Sequence, residues 1–336
     1  MEKKREKDLA EGGVQQPVQL VDLGMFAAQW MQARKAQGKP ESSLRTDERR
    51  LRLHVLPEMG KRPLQRITRR EWETFLDSLT VKSGLHPATR NRVQALVSKM
   101  YNDAVRLELI AANPLSVVPE VRESQNAWNL WEIAEECRRY LKKAVAEGPS
   151  FQIFAMLALN TGARVGEILA LRHQDVQLQR RSLHIWRTYE QETHKIVERT
   201  KGRAARWLGI NDTLYEALQE HRRHTAFRKS GDILVCREDG APLAEWMIRL
   251  RHRRTCLRAG LKVIRVHDLR HTYASHYVMN GGSLADLQGL LGHSTSLMTM
   301  KYAHLAPGHL ESKSSVVAFS GGPADTVRGH LKLLTQ

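Results

Sequence analysis

From residue 22 onward, apolar positions recur at helical spacing. Leu23, Phe26, Ala27, Trp30 and Met31 share one helical face, with Asp22 placed to cap it. Leu44, Leu51 and Val55 mark a second helix that starts near Ser42 or Ser43, with Pro57 and Gly60 as its stop. Thr68 and Glu71 form a capping-box pair ahead of Trp72, Phe75, Leu76 and Leu79. A fourth stripe follows Pro87 and carries Val93, Leu96, Val97, Met100, Ala104 and Val105, ending before Asn113-Pro114. No strand pattern interrupts these four, so residues 21–113 are expected to form a compact helical domain.

The pattern then changes. Residues 114–127 hold two prolines among polar residues and read as a linker. Beyond it, residues 131–145 and 151–160 are helical, the second apolar on all sides and therefore buried. Thr161-Gly162 breaks the chain, and residues 164–171 resume as a short helix with Arg164 and Glu167 on one face. Residues 182–189, 194–200 and 204–210 read as short strands, the last two joined by a Lys201-Gly202-Arg203 tip. Asn211 caps another helix, residues 233–236 suggest a short strand, and residues 243–259 a helix. Three helices are expected before Leu305: Gly281-Gly282 end the first, Ser283 caps the second, and Gly292 with Ser294 to Ser296 precedes the third. The expected division is a mobile arm over 1–20, the helical domain 21–113, the linker 114–127, a mixed domain 128–310 and a tail 311–336.

Charge narrows the function classes. Fifty-three lysines and arginines against 36 acidic residues give a formal charge of +17, which favours a polyanionic partner, nucleic acid first. Arg45, Arg49, Arg90, Arg92 and Lys99 lie near helix starts and on polar faces of the helical domain, and are candidates for phosphate contacts. The three cysteines, Cys137, Cys236 and Cys256, lack metal-ligand spacing and read as reduced thiols of a cytoplasmic protein. The charged N-terminus has no apolar region of a signal peptide, and the apolar run at 154–159 is too short to span a bilayer, so no membrane association is expected.

The candidate chemistry concentrates late in the chain. Within residues 266–305 lie His267, Arg270, His293 and Tyr302: acid–base groups, a guanidinium and a phenol, a set suited to a phosphate and a nucleophile. His267 and His271 are four apart, but no glutamate follows in the HExxH manner and Arg270 would repel a cation, so no metal site is expected. His271 and His276 read as structural, and Leu284, Leu287, Leu290 and Leu291 as core.

Taken together, TGARVGEILAL, the lysine hairpin, HDLRH, LLGH and the tyrosine of MKYAHL resemble, in order and spacing, the motifs of the tyrosine recombinase (phage integrase) family. The resemblance covers about residues 20–310. It implies a mainly helical fold with a small β-sheet: a SAM-like core-binding domain and a mixed α/β catalytic domain forming a C-shaped clamp on double-stranded DNA. Carried onto this chain, Arg164 and Arg270 resemble the phosphate-clamping arginines, Lys201 the hairpin lysine that protonates the leaving oxygen, and Glu167 a supporting acid. His267 resembles the group that takes the nucleophile's proton, His293 a phosphate hydrogen-bond donor, and Tyr302 the nucleophile. Arg203 on the same hairpin is a further DNA-contact candidate. The implied reaction cleaves and rejoins DNA through a 3′-phosphotyrosine, without cofactor or metal. It implies four protomers on two sites, a Holliday junction, accessory directionality or DNA-bending proteins, and a tail that docks on a neighbouring subunit. A phage, genomic-island or conjugative-element integrase fits best. A Xer-like chromosome-dimer resolvase is the nearest alternative, a type IB topoisomerase a further one, and a non-catalytic DNA-binding regulator the alternative from another class.

Overall fold

The structure, a computed structural model, describes residues 20–122, 129–191, 193–198 and 205–306. It divides into two compact units, 1–126 and 127–336. Lys201, Arg203, the arm and the tail lie outside the described residues.

In the first unit, α1 (Leu23–Ala36), α2 (Glu41–Arg50), α3 (Arg69–Val81) and α4 (Pro87–Arg106) enclose one core. Trp72 is its centre, meeting Phe75 and Tyr101 edge-on at 5.6 and 5.7 Å between ring centres. Fully burying each such apolar side chain contributes about 1.5–3 kcal/mol. The capping box of α3 forms as expected, with Thr68 and Glu71 satisfying each other's backbone donors. Asp22 precedes α1 without a side-chain cap bond. Pro57 does not stop the second helix. A proline ring clashes with the carbonyl four residues earlier, and here the helix widens into a π-turn over Leu51–Val55 before a last turn over Leu56–Met59.

The stretch expected as a linker is, from 114 to 121, part of this unit. Leu115 and Val118 are buried in its core. Gln94 donates to the Val118 carbonyl at 2.6 Å, and Asn91 exchanges two bonds with the backbone of Val121.

The second unit is built around α6 (Pro149–Thr161), buried on nearly all sides as its composition requires. Helices α5 (Ala134–Ala144), α8 (Asp212–His224), α9 (Glu245–Arg258) and α10 (Asp268–Met279) share its core. After α6 comes α7 (Val165–Leu169), shorter than the expected helix. The region expected as one strand over 182–189 is two. Strands β1 (Val176–Gln177), β2 (Ser182–Ile185) and β5 (Arg206–Gly209) form one antiparallel sheet in the order β1-β2-β5. β3 (Arg187–Glu190) and β4 (Lys195–Glu198) pair separately. The break falls at Trp186, whose indole N–H donates to Asp175 at 3.0 Å while Arg187 next to it donates to the other oxygen of that buried carboxylate. Residues 233–236 make only isolated bridges, from Ile233 to Arg172 and from Cys236 to Pro242.

The last two α-helices among the described residues are α11 (Leu284–Leu291), capped by Ser283, and α12 (Leu297–Met300). Ala274, Val278, Leu287, Leu291 and Tyr302 form a small separate core. No helix among the described residues is long and apolar enough to cross a membrane.

Candidate active site

A helix leaves its last carbonyls without intrahelical donors, and its C-terminus carries partial negative charge. The end of α11 is such a place, and three arginines occupy it. Arg206 Nε donates to the Leu290 carbonyl at 2.7 Å, Arg270 Nη2 to that of Leu291 at 2.8 Å, and Arg164 Nη2 to that of Gly292 at 3.5 Å. Three successive acceptors thus gather guanidiniums from β5, from α10 and from the residue preceding α7. Gly292 adopts a left-handed conformation there (φ +64°), and a Cβ on it would lie 2.9 Å from Arg206 Nη1. Only glycine fits both demands.

Arg270 is 4% exposed and also donates to the Gly162 carbonyl at 2.8 Å. Gly162 ends α6 in the left-handed conformation (φ +61°), and a Cβ there would collide with the Tyr273 ring at 2.4 Å. The Thr161-Gly162 break is therefore a fixed point from which Arg270 is held.

Glu167, only 1% exposed, faces two of the three cations. Its carboxylate accepts from Arg164 Nη1 at 3.0 Å, from the Arg164 backbone N–H at 3.1 Å and from Arg206 Nη2 at 2.6 Å. Burial lowers the pKa of Arg164, and burial reinforced by the Arg164 charge lowers that of Arg206 to about 10, so both remain cationic at neutral pH.

His293 follows directly. Its Nδ1 lies 2.8 Å from the Thr299 hydroxyl of α12. Loss of solvent, then the charges of Arg270 and Arg164, push its pKa down to about 4, so the ring is neutral. Tyr302 stands just after α12 and is 2% exposed. Burial raises its pKa to about 12 against the opposing pull of Arg270. Its hydroxyl lies 2.6 Å from His271 Nδ1. The His271 pKa is lowered to about 4, by desolvation first and by His267 second, so the shared proton rests on the phenol. His267 lies at the rim, its ring edge-on to His271 at 5.2 Å, with its own pKa lowered by desolvation and by Arg270.

Arg164, Glu167, His267, Arg270, His293 and Tyr302 are thus brought into one cluster. Two further members escaped the sequence reading. His271, set aside as structural, is the group on the tyrosine oxygen, where His267 was expected. Arg206, noted above only as part of the strand over 204–210, is the third arginine. A signal existed for it: in β5, Arg206 and Leu208 alternate inward while Trp207 and Gly209 point out.

The DNA-contact candidates of the first unit divide. Arg45, Arg49, Arg92 and Lys99 are exposed, Arg45 also pairing with Glu41 at 2.7 Å. Arg90 requires a correction. It is 2% exposed, and its Nη1 donates to the Gln94 side chain, to Asn91 at 3.3 Å and to the Pro119 carbonyl at 3.2 Å. A guanidinium so enclosed fastens the 118–121 segment and does not present itself to a phosphate at the surface.

Residues 130–309 match the phage integrase family, and residues 23–80 match the N-terminal SAM-like domain of phage integrases. The integrase of Escherichia phage 186 is 31% identical over 236 residues, covering 67% of this chain and 59% of the phage protein. The ICEBs1 integrase of Bacillus subtilis is 25% identical over 264 residues, covering 76% and 71%. A XerC-like tyrosine recombinase of Caldanaerobacter subterraneus is 25% identical over 254 residues, covering 67% and 64%. The chain thus spans under two thirds of the phage 186 relative's length. In fold it is similar to the Tn1549 transposon integrase, solved in complex with a circular intermediate DNA, with a TM-score of 0.73 and 17% identity over 94% of this chain and 99% of that one.

Proposed function

The chain belongs to the phage integrase family, and from that premise we propose that it is a site-specific tyrosine recombinase that cleaves and rejoins double-stranded DNA. The observation that carries this reading is the phenol of Tyr302, hydrogen-bonded to His271 beside three arginines gathered on one helix end.

The phosphodiester is a monoanion that gains charge on its nonbridging oxygens as it is attacked. Planar, permanently charged guanidiniums suit those oxygens, and donors fixed in advance lower the barrier without reorganising. Arg164 and Arg270 clamp the phosphate, Glu167 orients Arg164, and His293 adds a hydrogen bond. Tyr302 swings from its small core to attack phosphorus, passing its proton to His271. A bound phosphate anion raises the basicity of that imidazole, which is weak in the DNA-free protein. The P–O5′ bond breaks, the leaving oxygen takes a proton from Lys201, and a 3′-phosphotyrosyl bond conserves the energy for rejoining. The residues 21–113 act as a core-binding domain that grips the duplex, and 128–310 as the catalytic domain.

Four protomers act on two sites in the cytoplasm, at the nucleoid, with accessory directionality or DNA-bending proteins. The reaction integrates or excises a mobile element. The similarity to a XerC-like recombinase supports a second reading, chromosome-dimer resolution. A core-site duplex nicked beside the cleavage point tests the chemistry, because the released fragment diffuses away and traps the intermediate. Wild-type protein is expected to give a covalent protein–DNA adduct and Tyr302→Phe none. An adduct of undiminished yield in the phenylalanine variant overturns the nucleophile assignment.

A further inference from the structure

We propose that Arg206 is a positioning residue for strand cleavage: through Glu167 it sets Arg164 on the scissile phosphate and keeps that arginine's charge available to it. The inference rests on the reading of Arg164 as a clamp.

Arg206 does not touch DNA in this scheme, since its side chain is enclosed and turned onto Leu290 and Glu167. Nε holds the Leu290 carbonyl at 2.7 Å and Nη2 holds Glu167 at 2.6 Å. It therefore joins β5, α7 and the end of α11 at one point. Glu167 in turn bonds Arg164 at both backbone and guanidinium. The consequence is electrostatic as well as geometric. A buried carboxylate facing Arg164 alone would neutralise the cation the phosphate needs. Facing two guanidiniums, it leaves a positive surplus and divides its hydrogen bonds between them. The contact with Gly292 adds a steric constraint, because Arg206 packs where any side chain at 292 would stand. Since Gly292 carries the carbonyl that receives Arg164 and precedes His293, Arg206 also fixes the backbone from which both are held.

The test uses the full chain and single-turnover cleavage of the nicked duplex, in two versions: one with an ordinary scissile phosphate, the other with a neutral methylphosphonate there. Arg206→Met is expected to cleave the ordinary phosphate on the order of tenfold to a hundredfold more slowly, the scale of a misplaced catalytic group. Affinity for the duplex stays within about threefold, since Arg206 makes no phosphate contact that counterion release would report. The loss shrinks on the methylphosphonate, which demands less positive charge. Arg206→Lys, which keeps the charge, recovers part of the rate. Should Arg206→Met fold poorly, the double variant Arg206→Met/Glu167→Gln removes both charges together and is expected to cleave faster than Arg206→Met alone. Equal losses on the two substrates, no rescue by lysine or by the double variant, or an unchanged rate would each overturn the proposal. Failure of the underlying reading looks different: wild-type protein then gives no Tyr302-dependent adduct on either substrate.

Discussion

Both units bury arginine, and they do so to different ends. In the N-terminal unit, Arg34 donates to Asp47 at 2.7 Å and lies over the Trp30 ring at 4.4 Å. Arg90 divides its donors among neighbouring amides and the Pro119 carbonyl. Each links pieces of one unit near a carboxylate: Asp47, which Arg50 also reaches at 3.4 Å, and Asp77, 3.9 Å from Arg90 Nη2. In the second unit, Arg164, Arg206 and Arg270 come from distant parts of the chain and converge on three consecutive carbonyls with Glu167 between two of them. Desolvating a guanidinium costs several kcal/mol in either place. What sets the second arrangement apart is that guanidiniums from distant parts of the chain meet at one helix end, where a single anion can meet more than one of them. Burial alone therefore fails to distinguish an arginine that fastens the fold from one gathered with others at a candidate site. The count of cations per carboxylate fails too, since Asp47 and Glu167 each face two; convergence from distant parts of the chain does distinguish them.

Arg270→Ala should do the most damage. Removing one preorganised donor at a developing oxyanion costs about 10²–10³-fold in rate, and adduct formation on the nicked duplex should fall by at least that much. Duplex affinity, measured in parallel, should change by only a few-fold, because the other arginines and the first unit still meet the backbone. If instead affinity collapses and the bound fraction cleaves at the wild-type rate, Arg270 is a binding residue like those on the surface.

Arg90→Met is the counterpart. It leaves Gln94, Asn91 and the Pro119 carbonyl short of a donor, and a buried polar group left unsatisfied costs roughly 1–3 kcal/mol. Urea unfolding should show a loss of that size, located in the N-terminal unit by its tryptophans Trp30 and Trp72. Below the midpoint, each bound molecule should cleave at the wild-type rate. A slower chemical step with full stability would place Arg90 with the catalytic arginines.

Helices of the first unit were legible because periodicity reports which side of a helix is buried, and Trp72, Phe75, Leu76 and Leu79 state it plainly. The same periodicity says little about arginine, whose long stem can bury while its head is bonded. Arg90 sits in the fourth stripe, and its position could be read as inner or outer. Pro57 was misread for a related reason: its clash is local, but the remedy, a widened turn, is cooperative. In the second unit the motif residues are identifiable one by one, whereas their partners depend on tertiary contacts. Arg206 reaches Glu167 across 39 residues and Leu290 across 84. His271 meets Tyr302 only because α10 and the turn after α12 share a small core. His267 and His271 are only four residues apart, and the contact with the Tyr302 hydroxyl falls to His271.

A smaller effect is expected at the surface of α4. Arg92 and Lys99 are seven residues apart, two turns along one exposed face, while Arg90 points into the unit from the same helix. If the face follows a DNA backbone, each cation displaces about one condensed counterion, and log K against log salt should flatten by about one for Arg92→Ala and again for Lys99→Ala. Fluorescence anisotropy with a labelled duplex over a range of salt reads this directly. Arg90→Met, taken below its unfolding midpoint, should leave the slope where it was. Three of the four cations on this helix would then divide cleanly, two counted by the DNA and one by the fold. A slope that responds to Arg90 and ignores Arg92 and Lys99 would reverse that division.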